Sequence, residues 1–179
     1  MSFRAPTASV RRLAPHDASQ YRTMMLEAYE RHPDAFTSSA AERASLPLTW
    51  WEARLKEGST VADMVLGAFQ GNRLVAVAGL SFETRAKARH KATLFGMYVS
   101  SAVRRSGIGK LLVLGVLEQA RMRDGVRLVQ LTVTQGNDAA QSLYERCGFT
   151  QFGVEPFAIC VDNDFHSKVH MWCDLKMES

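Results

Sequence analysis

An apolar run that leads into a basic, glycine-bearing turn constrains the fold of this chain more than any other stretch. Residues 94–99 have the length and aromatic content of a buried strand. The turn carries Gly107 and Gly109, and a dense apolar stretch follows at residues 111–117. That stretch predicts a helix that ends near Gly125, since glycine readily adopts the left-handed conformation that stops a helix. The sequence therefore predicts a strand, a tight turn and a buried helix in direct succession.

The start of the predicted helix is suited to binding an anion. A helix N-terminus offers unpaired N–H groups and the positive end of a dipole, and the two glycines let the backbone approach a phosphate closely. Arg104, Arg105 and Lys110 add positive charge. A Walker phosphate loop is excluded, because Arg104 stands at its first glycine and Leu111 follows Lys110. The dinucleotide fingerprint is excluded too, because it needs a glycine at Leu112.

Two motifs in the chain resemble those of one protein family. Arg104-x-x-Gly107-x-Gly109 is similar to the pyrophosphate-binding turn of the GCN5-related N-acetyltransferases. A strand-like run separates it from a second motif, which reads Asn137-x-x-Ala140-x-x-Leu143-Tyr144-Glu145-x-x-Gly148-Phe149. The resemblance covers about residues 65–175 and implies an α+β fold, with a mixed, mostly antiparallel twisted sheet flanked by helices on both faces. We expect residues 1–179 to form a single N-acetyltransferase domain.

The resemblance implies an enzyme that transfers the acetyl group of acetyl-CoA directly to a primary amine through a ternary complex. The acceptor would be a small molecule or a protein N-terminus. The turn would hold the pyrophosphate of coenzyme A, the preceding strand edge would hold the pantetheine arm, and an N–H near Met97 or Tyr98 would act on the oxyanion. The residues expected to bind the cofactor are Met97, Tyr98, Val99, Arg104, Arg105, Ser106, Gly107, Ile108, Gly109, Lys110, Asn137 and Tyr144.

Tyr144 matches the family position that often protonates the departing thiolate. A phenol with a reference pKa of about 10 can donate to a thiolate with a pKa of about 8.5, although the transfer is uphill. The alternative is a tyrosine that only packs beside Leu143 in its helix. Asn137 is expected to cap that helix and to touch the cofactor, and capping alone would also explain it.

The general base is less well marked, because the central strand lacks the glutamate that the family often uses there. Glu83 and His90 in the flanking segment are the candidates for this catalytic role, with Thr93 or Tyr98 as groups that could hold a water. His170 stands among apolar residues and is interpreted as a core histidine with satisfied hydrogen bonds. The missing strand glutamate keeps a second reading open, in which the chain is a non-catalytic acyl-CoA-binding regulatory module.

The region before the first motif is expected to line the acceptor side. A helix is predicted over about residues 18–31 with Asp17 as its cap, followed by a turn-rich loop at 32–39. Thr49 and Glu52 form a capping-box pattern, which predicts a second helix over about residues 50–57. The aromatic residues of this region are either substrate-binding or core residues, and they are Tyr29, Phe36, Trp50 and Trp51.

The remaining pattern completes an antiparallel sheet. A short strand at 10–13, a hairpin at 64–69 and 74–82, a strand at 128–133 and closing strands after residue 151 are predicted. A capping pair of Asp138 and Gln141 is expected at the start of the last helix. The basic segment 83–91 is interpreted as a solvated hairpin tip, since its charges lack the interleaved aromatic residues of a nucleic-acid site.

Composition and charge narrow the class of protein. A net charge of +4 with a pI near 9.1 suits an anionic ligand but does not require one. The three cysteines form no disulfide framework or metal-ligand pattern, so no metal is expected. No signal peptide or membrane-spanning run is recognisable, and we expect a cytoplasmic protein without membrane or nucleic-acid partners. In the family, late strands often pair between two copies of the chain. If this protein assembles, we therefore expect a homodimer.

Overall fold

In the computed structural model, which describes residues 8–58 and 61–176, a seven-stranded sheet forms the framework of the protein. The sheet has the order β1-β2-β3-β4-β5-β7-β6, and only the β4–β5 pair is parallel. The mixed, mostly antiparallel sheet predicted from the sequence is therefore confirmed. The strands are β1 Ser9–Arg12, β2 Asp63–Gln70, β3 Arg73–Phe82, β4 Lys91–Val99, β5 Leu128–Thr134, β6 Thr150–Val161 and β7 Asp164–Asp174.

Helices cover both faces of the sheet. The helices are α1 Ala18–Arg31, α2 Ala40–Ala44, α3 Leu48–Arg54, α4 Ile108–Met122 and α5 Asp138–Arg146. Helices α1 and α3 bury Met25, Ala28 and Trp51 in one core cluster, whereas α4 and α5 bury Leu112 and Tyr144 in another on the opposite face. Strand β3 is buried along almost its whole length, as a near-continuous apolar run at the centre of a covered sheet should be.

A β-bulge interrupts the central strand β4. Val77 pairs with Tyr98 and Gly79 pairs with Phe95, so two residues of β4 oppose a single residue of β3. Gly96, at the bulge, has a φ of 57°, which glycine adopts without strain. The extra residue changes which side chains share a face. Met97 packs on the α4 side, and Tyr98 packs in the α1 cluster.

Strands β4 and β5 separate after Thr93, before β4 reaches the bulge. Their pairing is restricted to Lys91–Thr93 and Leu128–Gln130, although both strands continue for several residues. The backbone of β4 at Met97 and Val99 is consequently left without a strand partner on the β5 side. We call this opening the β4–β5 gap.

Three sequence predictions about helix starts are wrong. Helix α3 begins at Leu48 with Pro47 as N-cap, so Thr49 lies inside the helix and forms no capping box. The working capping box is Ser39 with Glu42, and it begins the unpredicted short helix α2. A helix of five residues carries too little periodicity to be recognised in the sequence.

The other two concern Asp17 and Asp138. Asp17 makes no side-chain cap for α1; its carboxylate instead accepts two hydrogen bonds from Arg11 and one from the Ala14 N–H. Asn137 caps α5 through a 3.3 Å bond from the Ala140 N–H, as expected of it, whereas Asp138 and Gln141 form no capping pair among the described hydrogen bonds. In residues 8–58 and 61–176, no helix is long and apolar enough to cross a membrane. The same residues contain no cluster of three potential metal ligands.

Candidate functional site

The N-terminus of α4 presents a row of unpaired N–H groups. Gly107 is the N-cap with a φ of 83°, and Arg105 before it has a φ of 61°. The Ser106 hydroxyl donates to the carbonyl of Val103 and closes the turn. Within the described parts of the chain, the N–H groups of residues 105–110 donate to no backbone or side-chain oxygen. The turn can therefore accept an anion, as the sequence predicts.

Gly109 brings this helix end against the β4–β5 gap. A methyl group added there would lie 3.2 Å from Leu143 Cδ2, 3.6 Å from Met97 Cε and 3.7 Å from Val99 Cγ2. The first of these distances is tighter than ordinary packing, so a glycine is the residue that fits. Ile108 is buried and can reach a ligand only through its backbone. Arg105 and Lys110 are exposed, and their charges are free to approach a phosphate.

Arg104 turns its side chain away from the helix N-terminus. Its Nε donates to the carbonyl of Val99 at 3.2 Å, and its Nη2 donates to Nε2 of His32 at 2.9 Å. The guanidinium lies 5.9 Å from the ring centroid of Tyr98. Arg104 thus ties the turn to the segment after α1, and its side chain does not join the row of N–H groups.

Tyr144 reaches the gap from the α5 side. Its hydroxyl donates to Sδ of Met97 at 3.4 Å, and the residue is only 7% exposed. Burial raises the pKa of Tyr144, and the neighbouring Cys147 adds to the effect. The phenol therefore stays protonated at neutral pH. Asn137, at the β5–α5 junction, donates its own N–H to the carbonyl of Thr134 at 3.0 Å, and its side chain caps α5.

On the opposite face, three of the four predicted acceptor-side aromatic residues are accessible. Tyr29, Phe36 and Trp50 are partly exposed, and the rings of Tyr29 and Phe36 meet edge to face with centroids 5.2 Å apart. Trp51 is 1% exposed and packs against Tyr21, so it belongs to the core and not to a binding surface. Burial raises the pKa of Tyr29.

Lys168 fastens the segment after α1 to the sheet. Its Nζ donates to the carbonyls of Asp34 at 3.2 Å and Ala35 at 3.1 Å, and to Thr134 Oγ1 at 2.8 Å. Thr134 Oγ1 in turn donates to the carbonyl of Asp34 at 2.6 Å. Burial lowers the pKa of Lys168, opposed by the charges of Asp34 and Glu155. The sequence analysis missed this residue, and no local pattern marks it.

A second missed group is Glu27 on α1. The Tyr98 hydroxyl donates to Glu27 Oε1 at 3.0 Å, and Arg31 Nε lies 3.3 Å from the same oxygen. Burial raises the pKa of Tyr98, and the bond to Glu27 raises it further. A carboxylate therefore does stand close to β4, although it comes from a helix and not from the strand itself.

The sequence model for the acetyltransferase (GNAT) family matches residues 23–149, a range that contains both motifs and the whole β4–β5 gap. The chain belongs to the GNAT family. The family resemblance expected from the sequence is confirmed, and with it the class of acetyl-CoA-dependent acetyltransferases.

Individual GNAT relatives agree with this assignment. The chain is 36% identical over 64 residues to the ribosomal protein bS18-alanine N-acetyltransferase of Haemophilus ducreyi, a match that covers 36% of this chain and 43% of that protein. A GNAT acetyltransferase from Streptococcus pneumoniae superimposes with a TM-score of 0.85 at 22% identity, over 94% of this chain and 99% of the other. For yncA of Salmonella typhimurium, solved with its cofactor acetyl-CoA, the TM-score is 0.77 at 19% identity, over 97% and 96% of the chains.

The structure does not bring Glu83 or His90 to the GNAT site. The N–H of Glu83 donates to the carbonyl of Lys91, and its carboxylate faces Arg85 in the exposed hairpin tip. His90 precedes the first residue of β4. Met97 lies six residue steps along the strand from Lys91, which is at most about 20 Å at 3.3 Å per residue. Neither side chain can reach the same ligand atoms as Tyr144.

His170 is not the core histidine that the sequence suggested. It is a half-exposed residue on β7, and its Nε2 lies 2.9 Å from Glu155 Oε2. Two clefts of the described surface lie at the β1 edge of the sheet, and Arg11 lines both of them. Neither is lined by Met97, Val99 or Tyr144 of the β4–β5 gap.

Proposed function

We propose that this protein transfers the acetyl group of acetyl-CoA directly to a primary amine bound on the α1–α3 face. The observation that carries the proposal is the row of unpaired N–H groups at the α4 N-terminus, placed at the mouth of a gap that also contains Tyr144. An anion site and a proton donor at the two ends of one opening are what a thioester-dependent transfer requires.

The residues that would hold coenzyme A fit its chemistry. The N–H groups of residues 105–110 would bind the pyrophosphate, with Arg105 and Lys110 adding charge. The unpaired backbone of β4 at Met97 and Val99 would bind the amide-bearing arm as a neighbouring strand would. The cofactor supplies the acetyl group as a thioester and leaves as a thiol.

The chain's own groups would then manage charge and protons. An N–H of β4 beside the bulge, at Met97 or Tyr98, would donate to the developing oxyanion, since the bulge frees it from the β3 ladder. Tyr144 would donate its proton to the departing sulfur. In the structure its hydroxyl donates to the sulfur of Met97. Its raised pKa keeps that proton on the oxygen before the reaction and makes the transfer to the thiolate more strongly uphill.

The proton of the attacking amine would leave through Tyr98 and Glu27. Their hydrogen bond links a hydroxyl of β4 to a carboxylate of α1, and it would take over the role expected of Glu83 or His90. On this assignment, Glu27→Gln lowers kcat/KM chiefly on the acidic side of the pH–rate profile. A uniform decrease at every pH would remove Glu27 from this role.

The proposed acceptor is either a small-molecule amine or a protein N-terminus. The Haemophilus ducreyi relative is named for a ribosomal-protein alanine, and so is a Brucella melitensis structure that matches with a TM-score of 0.75 at 23% identity, over 93% of this chain and 99% of that one. These names support an α-amine as one choice. The accessible aromatic residues support a small acceptor equally well.

The test is thiol release from acetyl-CoA in the presence of a panel of amines, with initial rates measured at varied concentrations of both substrates. Direct transfer predicts amine-dependent release with intersecting double-reciprocal lines. Parallel lines would contradict the ternary complex. Binding of acetyl-CoA without release for any amine would favour the regulatory module, the alternative that the lack of a carboxylate on β4 supports.

We also propose that two copies pair through the β6–β7 hairpin. Strand β6 is the edge strand of the sheet, and Phe157 and Phe165 near the hairpin end are 74% and 62% exposed. Their rings pack together with centroids 5.2 Å apart, which makes one apolar patch. An unpaired edge with such a patch supports association with a second copy.

A further inference from the structure

Two guanidinium groups flank Trp50 on the acceptor face. Arg43 Cζ lies 4.7 Å from the Trp50 ring centroid, and Arg54 Cζ lies 4.9 Å from it. The two arginines come from the ends of α2 and α3, and both side chains are half-buried. Two like charges are therefore packed around one indole ring, partly withdrawn from water.

Neither charge has a carboxylate partner in the described parts of the chain. Within residues 8–58 and 61–176, no carboxylate oxygen lies within 4.0 Å of Arg43 or Arg54. Arg43 donates from Nη2 to Ser38 Oγ at 2.7 Å, while its Nε is buried without a hydrogen-bond partner. Arg54 makes no hydrogen bond within 3.5 Å in the same part of the chain, although its guanidinium lies close enough to the Tyr21 hydroxyl to oppose the rise that burial causes in the pKa of Tyr21. Leaving such donors unmatched costs free energy, which an incoming anion would recover.

The contrast with other arginines of the chain is informative. Arg11 makes a bidentate pair with Asp17, and Arg127 makes one with Asp174. Arg22 has no carboxylate partner either, but it donates to the backbone carbonyl of Ala44. In the described parts of the chain, neither arginine around Trp50 donates to a carboxylate or to a backbone carbonyl.

The same two charges lie beside the residues that border the proposed transfer site. Arg54 Cζ is 5.9 Å from the ring centroid of Phe95, which directly precedes the bulge at Gly96. Both arginines are also close enough to Tyr29 for their charges to oppose the pKa increase that burial causes there. Tyr29, Trp50 and Phe95 therefore form an aromatic lining with two cations set into it.

We propose that Arg43 and Arg54 bind a carboxylate of the acceptor, so that the substrate is an amine that also carries a carboxylate. Guanidinium groups recognise carboxylates through paired, charge-assisted hydrogen bonds, and the aromatic lining would pack against the apolar part of the same molecule. A free amino acid and a peptide with an acidic residue near its N-terminus both provide this chemistry. The inference rests on the proposed acetyl transfer and specifies its acceptor.

The test compares acceptors that differ only in the carboxylate. One arm uses L-phenylalanine and L-phenylalaninamide, and the other uses a peptide that begins Ala-Asp and its Ala-Asn counterpart. Thiol release from acetyl-CoA gives kcat/KM for each, and the ratio of acid to amide is compared between proteins. Any difference in amine basicity cancels in that comparison.

Arg43→Gln and Arg54→Gln should each lower the acid-to-amide ratio by about 10- to 100-fold, the value of a charge-assisted hydrogen bond. Arg54→Lys should restore part of the ratio, because it keeps the charge without the forked geometry. Arg22→Gln is the matched control, since Arg22 is half-buried beside α2, donates to the carbonyl of Ala44 and touches neither Trp50 nor Tyr29 in the described contacts. Its ratio should stay at the wild-type value.

A preference in the first arm identifies a small amino carboxylate, and a preference confined to the second identifies a protein N-terminus. Turnover of all four acceptors at similar efficiency, or an unchanged ratio in both glutamine variants, would overturn the role of the arginine pair and leave the acetyl transfer intact. Absence of release with every amine, including uncharged ones, would instead contradict the proposed function.

Discussion

At the scale of single residues, backbone conformation decides where an anion can bind. Gly107 has a positive φ, and no atom would lie within 4 Å of an added Cβ. A side chain would therefore meet strain but no collision within the protein. Its main effect would be to occupy the space in front of the α4 N–H groups, where the pyrophosphate is proposed to bind.

Gly107→Val should accordingly leave the protein folded but lower its affinity for coenzyme A more than tenfold. Coenzyme A should therefore stabilise this variant less against heat than it stabilises the wild type. The matched control is Gly125→Val at the other end of α4. Gly125 has a φ of 80° and equally open surroundings, so it carries the same strain. Thermal shifts of both variants across a coenzyme A titration check the prediction, and equal losses in the two would assign the effect to strain alone.

Tyr144 makes its one described side-chain hydrogen bond to a thioether, which is a weak acceptor. Tyr144→Phe should therefore change the free energy of unfolding by no more than about 1 kcal/mol. It should lower kcat by about 10²- to 10⁴-fold, the usual worth of a positioned acid, and leave the affinity for acetyl-CoA unchanged. Steady-state kinetics with a calorimetric affinity for the same sample separate these effects. A variant that turns over normally would show that the phenol only packs.

At the scale of elements, the segment after α1 is held in place from two sides. Arg104 binds His32 at one end, and Lys168 with Thr134 binds Asp34 at the other. The segment therefore crosses the acceptor side of the β4–β5 gap as an anchored strap. Phe36, which packs on Tyr29, is positioned by these anchors.

Lys168→Met should release this strap without disturbing the cofactor side. The carbonyl of Ala35 loses its described donor and that of Asp34 keeps only Thr134, while burial of the ammonium, which lowers the pKa of Lys168, no longer opposes folding. We expect a change in unfolding free energy within about 3 kcal/mol, a several-fold higher KM for the amine and an unchanged affinity for acetyl-CoA.

The control for this change is Lys87→Met, which removes an exposed lysine from the hairpin tip. Comparing the KM of the amine with the affinity for acetyl-CoA in both variants checks the assignment. If Lys168→Met altered cofactor affinity as much as amine KM, the lysine would be a general structural residue and not an anchor for the acceptor segment.

At the scale of the whole molecule, the predictable parts are those with local patterns. The bounds of α1, the presence of α4 and the places of the strands along the chain follow from periodicity, glycine positions and motif spacing. The β4 bulge, the Tyr98–Glu27 bond and the Lys168 anchor join positions that lie far apart in the chain or depend on register. Lys168 and Asp34 are separated by 134 residues, so no spacing rule could have linked them.

The proposed pairing through β6 and β7 is also a property of the whole molecule. The double variant with Phe157→Ser and Phe165→Ser should shift a dimer to monomer. Burial of apolar surface contributes about 25 cal/mol of association free energy for each Å², and the variant loses this contribution. Light scattering over a concentration series measures this. A wild-type protein that is monomeric at every concentration would contradict the proposal. As a control, the two substitutions should leave acetyl-CoA binding unchanged.

The central claim is that the α4 N-terminus and the β4–β5 gap form one site for acetyl-CoA. Calorimetric titration of the wild-type protein with acetyl-CoA tests it most directly. We predict saturable binding of one acetyl-CoA per chain, weakened by added salt because phosphate contacts carry much of the affinity. Absence of saturable binding at millimolar acetyl-CoA, with the protein folded, would contradict the account.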